Sequence, residues 1–365
     1  MEFQNIGFIG LGLIGGSIAK AIKQTYPSTK LYAHASHIET ITNAHKEGII
    51  ENEAFLPLET FGTLDVIFLC SPVKVNLSYL EELKPYLSKH TILTDVGSVK
   101  GDIHKRIYEL GLSSQFIGGH PMTGSEKIGF AYSDASLLEN AYYILTKDEA
   151  LDENILQDFN EIVSSLGALP MILTPAEHDF ATAAISHLPH VISASLVNLV
   201  KDNDANDVLK TIAAGGFKDI TRISSSSPVM WQNICIENKD EIQKLIRLYK
   251  EELDAFEQTI VSEDLDRLLN KFATAKDYRD SLPVRKASLL PQTFECFVDI
   301  PDETGVIAKV AVLLAEHNIS MQNIGIVNNR EFEEGALHIE LKTQHDLDNT
   351  IALLKENNYH IHIRA

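Results

Sequence analysis

Cysteine, basic residues and long hydrophobic runs are all scarce in this chain, and each shortage excludes a class of protein. Three cysteines occur among 365 residues, at positions 70, 235 and 296. An odd, widely spaced set indicates neither a disulfide framework nor a zinc site, so we expect reduced thiols, no metal and a cytoplasmic location. Lysine and arginine number 31 against 51 acidic residues, which gives a net charge of −20. A chain this acidic is not expected to bind nucleic acid, because contact with phosphates needs a basic face.

No hydrophobic run approaches the length of a membrane span, and the N-terminus begins directly with a predicted strand. We therefore expect neither a membrane segment nor a signal peptide. The hydrophobic content of 44% and the charged content of 22% are typical of a soluble globular protein. A chain of this length is predicted to form two or three domains.

A glycine-rich turn at residues 6–17, IGFIGLGLIGGS, is the most informative short stretch. Gly10, Gly12 and Gly15 have G-x-G-x-x-G spacing between a short apolar run and a helical period. In this context the first glycine allows a tight turn, the second lets a pyrophosphate approach the backbone, and the third brings helix and strand close together. The N–H groups at the start of the helix then face the phosphates. We predict a dinucleotide site here, which also includes Leu11, Leu13, Ile14, Ser36 and Ser71.

The choice between NAD and NADP stays open at this point. An acidic residue usually ends the second strand of an NAD site and binds the ribose hydroxyls. The corresponding segment here, residues 33–37, reads AHASH and has no acid. Ser36 and His37 could instead meet a 2′-phosphate, but no arginine or lysine stands beside them.

The remaining pattern predicts three domains. Short apolar runs alternate with helical periods over residues 1–174, which favours a Rossmann-like, doubly wound parallel sheet. Residues 141–146 and 171–174 are predicted to extend that sheet. Residues 175–280 have helical periodicity, 281–292 are predicted to be a linker, and 293–365 follow the β-α-β-β-α-β order of a ferredoxin-like unit.

Two polar clusters follow predicted strands at the edge where open sheets bind ligands. Ser98, in the segment DVGSVK, could hydrogen-bond a substrate or cofactor, or it could be an ordinary helix N-cap. His120, in GGHPMTGSE, lies between glycines and a proline and is expected to project from a loop. An imidazole titrates near neutral pH, which suits acid–base chemistry.

Two further clusters lie in the helical region. His187 and His190, three residues apart in SHLPH, could share a helix face and bind a metal, but no acid completes the ligand spacing. A substrate contact or a core histidine is therefore favoured. In GGFKDITR, Arg222 held by Asp219 could form a bidentate pair with a substrate carboxylate. The alternative is a surface ion pair, which contributes little stability.

Taken together, the motifs resemble those of the prephenate dehydrogenase (TyrA-type) family over essentially the whole chain. GLGLIGGS, DVGSVK, GGHPMTGSE, SHLPH, GGFKDITRI and Met230-Trp231 occur in family order. The C-terminal unit resembles an ACT domain, with PDETGVI and EHNIS in its effector-binding positions. The resemblance implies four effector residues: Asp302, Gly305, Asn318 and Ile319.

The resemblance implies NAD(P)-dependent oxidative decarboxylation of prephenate to 4-hydroxyphenylpyruvate. His120 would take the proton of the ring hydroxyl, Ser98 would orient that pair, and Arg222 would hold the side-chain carboxylate of the substrate. The pocket would be completed by four further residues: His190, Glu126, Ser125 and Asp219. L-tyrosine would bind the ACT domain between the subunits of a homodimer and inhibit the enzyme.

Three other interpretations remain open on the sequence. The first is arogenate dehydrogenase, whose substrate differs from prephenate only in an amino group on the side chain. A dehydrogenase of short β-hydroxy acids would use a catalytic lysine, for which Lys218 is the candidate. A non-catalytic sensor would bind a dinucleotide and an amino acid without needing Ser98, His120 and Arg222 together.

Overall fold

A mixed β-sheet organises the N-terminal part of the chain in the computed structural model. The structure describes residues 3–124, 127–282, 294–301, 303–327, 336–341, 343–357 and 359–362. The chain divides into two compact units, Met1–Asn270 and Lys271–Ala365. The nucleotide-binding motif and all four polar clusters found in the sequence belong to the first unit.

The described residues of the first unit form a seven-stranded sheet. Its strands are β1 (Asn5–Ile9), β2 (Lys30–His34), β3 (Val66–Leu69), β4 (Ile92–Asp95), β5 (Phe116–Pro121), β6 (Tyr142–Lys147) and β7 (Leu169–Leu173). Their spatial order is β2-β1-β3-β4-β5-β6-β7. Because the chain leaves β1 in one direction to form β2 and in the other to form β3, the switch point lies between β1 and β3, beside the glycine turn.

Helices cover both faces of this sheet, as a doubly wound fold requires. They are α1 (Leu13–Thr25), α2 (Ile38–Lys46), α3 (Val73–Leu83), α4 (Gly101–Glu109) and α5 (Glu153–Ser165). Side chains of α1 and α5 pack with Phe8 and Phe68 on one face. Side chains of α3 and α4 pack with Ile9 and Ile67 on the other. The near-continuous apolar strands of the sequence are thus explained by burial on both sides.

The last two strands correct one expectation. Residues 141–146 and 171–174 do extend the sheet, but β6 pairs antiparallel with β5, and β7 then pairs parallel with β6. A parallel crossover needs a connection with a helix. The described residues between β5 and β6 hold only two short 3₁₀ turns, Phe130–Tyr132 and Ala135–Leu138. The chain therefore turns back after β5, and β6 runs beside it in the opposite direction.

Helices make up the rest of the first unit, and the last of them continues past its end at Asn270. They are α6 (Pro175–Thr182), α7 (Leu188–Asp202), α8 (Val208–Ile212), α9 (Gly215–Thr221), α10 (Pro228–Glu237), α11 (Lys239–Val261) and α12 (Leu265–Ser281), with a π-helical turn, Ala183–His187, between α6 and α7. Thr174 and Glu177 form a reciprocal capping box that fixes the start of α6. Of the predicted linker, only residues 281 and 282 lie within the described part of the chain.

One described stretch, Pro175–Asp202, is long and apolar enough to cross a membrane by length and composition. This finding corrects the expectation that no stretch has such a length. Only 22% of its most apolar window is buried. Core helices of soluble proteins meet the same criterion, so length and composition alone assign it no membrane role.

The second unit has the predicted β-α-β-β-α-β order. Its elements are β8 (Phe294–Asp299), α13 (Val306–Glu316), β9 (Met321–Val327), β10 (Ala336–Leu341), α14 (Gln344–Glu356) and β11 (Ile361–His362). The strands form an antiparallel sheet in the order β11-β8-β10-β9. Its core contains Cys296, Val310, Leu337 and Leu354. This arrangement is ferredoxin-like.

The exposed edge of the large sheet is closed by a side chain. The amide of Asn52 accepts a hydrogen bond from the N–H of Ala33 on β2 at 2.9 Å and donates to the Ala33 carbonyl at 3.0 Å. It also donates to the carbonyl of Ala54 at 2.9 Å. Asn52 is buried, so these bonds replace water at an edge strand.

We predict that Asn52→Leu lowers the free energy of unfolding by about 1–3 kcal/mol, because it leaves the buried N–H and C=O of Ala33 without partners. Urea unfolding followed by circular dichroism measures the change. Asn43→Leu, at an exposed position of α2, is the matched control and should change stability little. Equal stability of the two variants would contradict the proposed closure of the edge.

Candidate active site

The glycine turn connects β1 to α1, and each of its glycines has a distinct structural reason. Gly10 has a φ of +93° and donates its N–H to the His34 carbonyl at 2.7 Å. A Cβ on Gly15 would lie 2.7 Å from the Gly10 carbonyl oxygen. A Cβ on Gly12 would meet nothing within 4 Å. The turn is thus tight at Gly10, packed at Gly15 and open at Gly12, as the motif predicted.

The start of α1 is built to receive an anion. Within the described stretch 3–124, Gly12 provides no side-chain cap, and the first turn of α1 has no acidic residue. The backbone N–H groups of the first turn of α1, which begins at Leu13, have no partner within the helix and lie at the positive end of the helix dipole. The donor set fits a dinucleotide phosphate.

The other predicted cofactor residues surround this turn. Leu11 is buried beside it. Ser71, directly after β3, lies against Gly10: a Cβ there would come within 2.6 Å of its hydroxyl oxygen. Ser36 is exposed just past the end of β2. The structure therefore brings Ser71 to the turn and leaves Ser36 at the end of the adjacent strand.

A fully buried ion pair stands at the end of β4. The Lys100 amine lies 2.5 Å from the carboxylate of Asp95, and neither side chain is exposed to solvent. Asp95 also accepts from the N–H of Gly97 at 2.9 Å and of Gly119 at 3.0 Å. Burial lowers the pKa of the Lys100 amine, while the carboxylates of Asp95 and Asp179 oppose that shift. Asp95 thereby ties the loop after β4 to strand β5.

Ser98 lies in that loop and is not the helix cap that the sequence left open. Helix α4 begins at Gly101, and its N-cap residue is Lys100. The N–H groups of Lys100 and Gly101 instead donate to the carboxylate of Asp179, both at 2.7 Å. The Ser98 hydroxyl is half-buried and makes no hydrogen bond to another described residue. It is available to a ligand.

His120 lies in strand β5, paired with Ile144 of β6, and not in a loop as expected. Strand geometry holds its backbone through the ladder and directs its partly buried side chain toward α6. Its Nδ1 lies 2.8 Å from Nε2 of His178. Burial lowers the pKa of His120 well below 6.5, and nearby positive charge on His178, Lys100 or His187 would lower it further. His120 is therefore neutral at neutral pH and can accept a proton.

His178 and Asp179 are the site residues that the sequence reasoning missed. Nδ1 of His178 lies 2.7 Å from Oδ1 of Asp179, and both side chains are buried. A His-Asp dipeptide directly after the TPAE capping segment of a predicted helix was the available signal. It was weak, because the partner His120 is 58 residues away.

His187 and His190 engage different partners. Nδ1 of His187 lies 3.1 Å from the amide nitrogen of Asn238, which also donates to the Asp179 carbonyl at 2.8 Å. His190 stacks on Trp231, with ring centroids 3.6 Å apart. Burial lowers the pKa of His187 to about 4. Among the described residues, His187 and His190 therefore do not converge on one position for a metal ion. The ring of His190 instead forms an aromatic surface with Trp231.

Arg222 and Asp219 are both exposed and form no ion pair with each other. Arg222 lies near enough to His190 to lower the pKa of that imidazole, after the larger effect of burial. The structure therefore brings Arg222 to His190 without the expected brace from Asp219. Lys218, the candidate of the rival interpretation, is exposed on α9.

The remaining predicted residues are distributed as follows. Ser125, Glu126 and Asp302 lie outside the described residues. In the second unit, Gly305 caps α13 with a φ of +87° and Asn318 has a left-handed φ of +56°. Ile319 is buried in the core of that unit.

Comparisons with known proteins agree with this arrangement. Residues 18–172 match the family model of the prephenate dehydrogenase nucleotide-binding domain, and residues 174–274 match that of the prephenate dehydrogenase dimerization domain. The prephenate dehydrogenase of Bacillus subtilis is 38% identical over 340 residues, which are 92% of each chain.

Two solved structures are similar over the nucleotide-binding and helical regions. Prephenate dehydrogenase from A. aeolicus, in complex with hydroxyphenyl propionate and NAD+, is 32% identical with a TM-score of 0.72, covering 77% of this chain and 99% of that one. Synechocystis arogenate dehydrogenase is 31% identical with a TM-score of 0.70, covering 76% and 99%. This chain belongs to the prephenate dehydrogenase family of oxidoreductases.

Proposed function

We propose that this chain oxidises and decarboxylates prephenate to 4-hydroxyphenylpyruvate with NAD as hydride acceptor and His120 as the base. The observation that carries the proposal is the partly buried imidazole of His120 in β5, which lies 2.8 Å from His178 and whose pKa is held well below 6.5 by burial. Loss of carbon dioxide makes the substrate ring aromatic. The protein then needs mainly to orient the hydride and to accept one proton.

The residues around the glycine turn support NAD as the cofactor. The open approach at Gly12 and the uncapped start of α1 fit a pyrophosphate. NAD, when bound, would take the hydride from the substrate ring. A 2′-phosphate needs a cation, and neither arginine nor lysine adjoins Ser36 and His37 at the end of β2 in the sequence. This favours NAD over NADP, and the A. aeolicus relative was solved with NAD+.

Each polar residue of the site receives a role from its position. His120 takes the proton of the ring hydroxyl, and Ser98 orients that hydroxyl. Arg222, exposed near the His190–Trp231 stack, binds the side-chain carboxylate of prephenate. Ser125 and Glu126, which follow β5 in the sequence, line the same pocket in this proposal. Asp219 remains a pocket residue that could pair with Arg222 once substrate is bound.

The second unit is proposed to be an ACT domain that binds L-tyrosine and opposes catalysis. Its β-α-β-β-α-β order supports this proposal. Asp302, Gly305, Asn318 and Ile319 are the proposed effector residues. Inhibition by tyrosine would be a coupling free energy between two sites.

A homodimer is proposed from the helical region. The match to a dimerization domain covers residues 174–274. Large apolar side chains of that region are exposed in the single chain, among them Ile185, Leu199, Leu253 and Ile260. Such a surface is typical of a subunit interface. The three free cysteines agree with a cytoplasmic location.

Substitution of His120 by asparagine tests the base. We expect kcat to fall by about two to four orders of magnitude, with the KM for prephenate changed little, because only proton transfer is lost. Steady-state NADH formation measures both constants. His90→Asn, at an exposed position, should retain normal kinetics. A near-normal kcat for His120→Asn would refute the assignment.

Substitution of Arg222 by glutamine tests the carboxylate contact. We expect the KM for prephenate to rise by about 10- to 100-fold with kcat nearly unchanged, because a charge-assisted bond contributes roughly 1.5–3 kcal/mol. Arg247→Gln, on the exposed face of α11, is the matched control. An unchanged KM would remove Arg222 from the substrate site.

The substrate itself is tested by crossing prephenate and arogenate with NAD and NADP, each with and without tyrosine. Arogenate dehydrogenase is the second candidate, because one of the similar solved structures is the arogenate dehydrogenase of Synechocystis. We expect turnover of prephenate with NAD and suppression by tyrosine. A preference for arogenate would make arogenate dehydrogenase the favoured function and prephenate dehydrogenase the alternative. Silence of the folded protein with all four pairs would favour a non-catalytic sensor.

A further inference from the structure

Three side chains form a continuous hydrogen-bonded line that leads from the site into the helical region. Nδ1 of His120 meets Nε2 of His178 at 2.8 Å, and Nδ1 of His178 meets Oδ1 of Asp179 at 2.7 Å. His178 is completely buried, so both of its nitrogens are engaged away from water. The order is base, imidazole, carboxylate.

The carboxylate sets the proton positions along this line. Both carboxylate oxygens of Asp179 already accept N–H bonds, from Lys100 and Gly101. An ionised carboxylate can only accept, so Nδ1 of His178 must donate to it. In neutral His178, Nε2 is then an acceptor, and Nδ1 of His120 must donate to Nε2. The second nitrogen of neutral His120, Nε2, is left with a free lone pair.

We propose that His178 and Asp179 are positioning residues that hold His120 in the tautomer with its proton on Nδ1, and that they carry away the charge of the proton it accepts. This inference rests on the proposed role of His120 as base. It adds two residues of the helical region to the function of a residue in the nucleotide-binding sheet.

The proton step balances within this line. The bond between hydrogen and the ring hydroxyl oxygen of the substrate breaks, and hydrogen binds Nε2 of His120. The Nδ1 proton of His120 then moves to Nε2 of His178. His178 keeps its own Nδ1 proton and becomes an imidazolium beside the carboxylate of Asp179. After product leaves, the reverse shift returns one proton to solvent through Nε2 of His120.

Other charges around His120 favour moving the positive charge in this direction. The ammonium of Lys100 is close enough to oppose a second positive charge on His120, although it is paired with Asp95. His187, from the π-helical turn, opposes it as well if protonated. Asp179 is the one carboxylate bonded to the histidine line among the described residues. Positive charge that moves from His120 to His178 therefore lies next to the carboxylate of Asp179.

A purely structural role for the pair would explain less. Capping of α4 accounts for the bonds from Asp179 to Lys100 and Gly101, but it does not require a histidine at position 178. Burying an imidazole costs free energy unless both nitrogens are bonded. The bond to His120 is what satisfies the second nitrogen of His178.

The test compares His178→Gln with His178→Leu. The glutamine carbonyl can still accept from Nδ1 of His120, whereas leucine cannot, so we expect kcat to fall by about 10-fold and about 100-fold or more respectively, with little change in KM. In His178→Gln the acid limb of kcat/KM should move to lower pH by about one unit or more, because the proton no longer reaches the carboxylate. A no-enzyme blank at every pH corrects for spontaneous loss of prephenate.

The direction in which the acid limb of kcat/KM moves distinguishes the proposed relay from two alternative explanations. If His178 were only a structural neighbour, the limb would stay in place, and if its charge only repelled a proton on His120, the limb would move to higher pH. Either result overturns the proposal. His104→Gln breaks another buried His–Asp pair, in which Nδ1 lies 3.0 Å from Asp148. It should lower thermal stability without moving the limb.

Nitrogen-15 NMR of the unsubstituted protein keeps the inference testable if a variant fails to fold. We expect His120 and His178 both to carry their proton on Nδ1 at neutral pH, whereas free histidine prefers Nε2. The His120→Asn variant assigns the signals. Protons on Nε2 of both residues would overturn the relay. An inactive His120→Asn with an unmoved limb in His178→Gln would leave the base standing and remove only the relay.

Discussion

The buried contact between Asp95 and Lys100 is the constraint on which the site depends. Burying a charge costs free energy unless it is paired with an opposite charge and its remaining hydrogen-bonding positions are occupied. Asp95 meets both conditions with one ammonium and two backbone N–H groups. Those donors belong to the loop after β4 and to β5. The bonds to Asp95 therefore hold the loop that contains Ser98 in a fixed position relative to the strand that contains His120. Removal of either partner would leave an uncompensated buried charge in contact with the loop after β4 and with β5.

Asp179 performs the equivalent task between the sheet and the helices. Its carboxylate belongs to α6 but caps α4, which replaces the missing side-chain cap of that helix. Its backbone carbonyl accepts from Asn238, which in turn contacts His187. One residue thus joins the nucleotide-binding layer, the helix that carries His178 and the helix that carries Trp231.

Much of this arrangement was predictable from local sequence. The roles of Gly10, Gly12 and Gly15 follow from spacing, because backbone conformation and close approach act over a few residues. The order of strands and helices follows from periodicity. The neighbours of His120 made it a candidate for acid–base chemistry, but its place in a strand was not predicted, since glycines and proline favoured a loop.

What could not be predicted depends on contacts distant in sequence. The direction of β6 follows from the lack of a crossover helix among the described residues between 121 and 142. The roles of His178 and Asp179 exist only once α6 packs against α4 and β5. The expected pair of Asp219 and Arg222 is not formed, because three-residue spacing at the end of α9 does not by itself direct two exposed side chains toward each other.

The π-helical turn between α6 and α7 has a geometric consequence for His178, His187 and His190. In an uninterrupted α-helix, the nine residues from His178 to His187 would place these side chains about 180° apart. The wider turn over residues 183–187 changes this phase, and both imidazoles are buried. His190, one turn later, is then rotated onto Trp231. The π-helical turn therefore changes the angle between His178 and the two histidines that contact Trp231 within one continuous helical stretch.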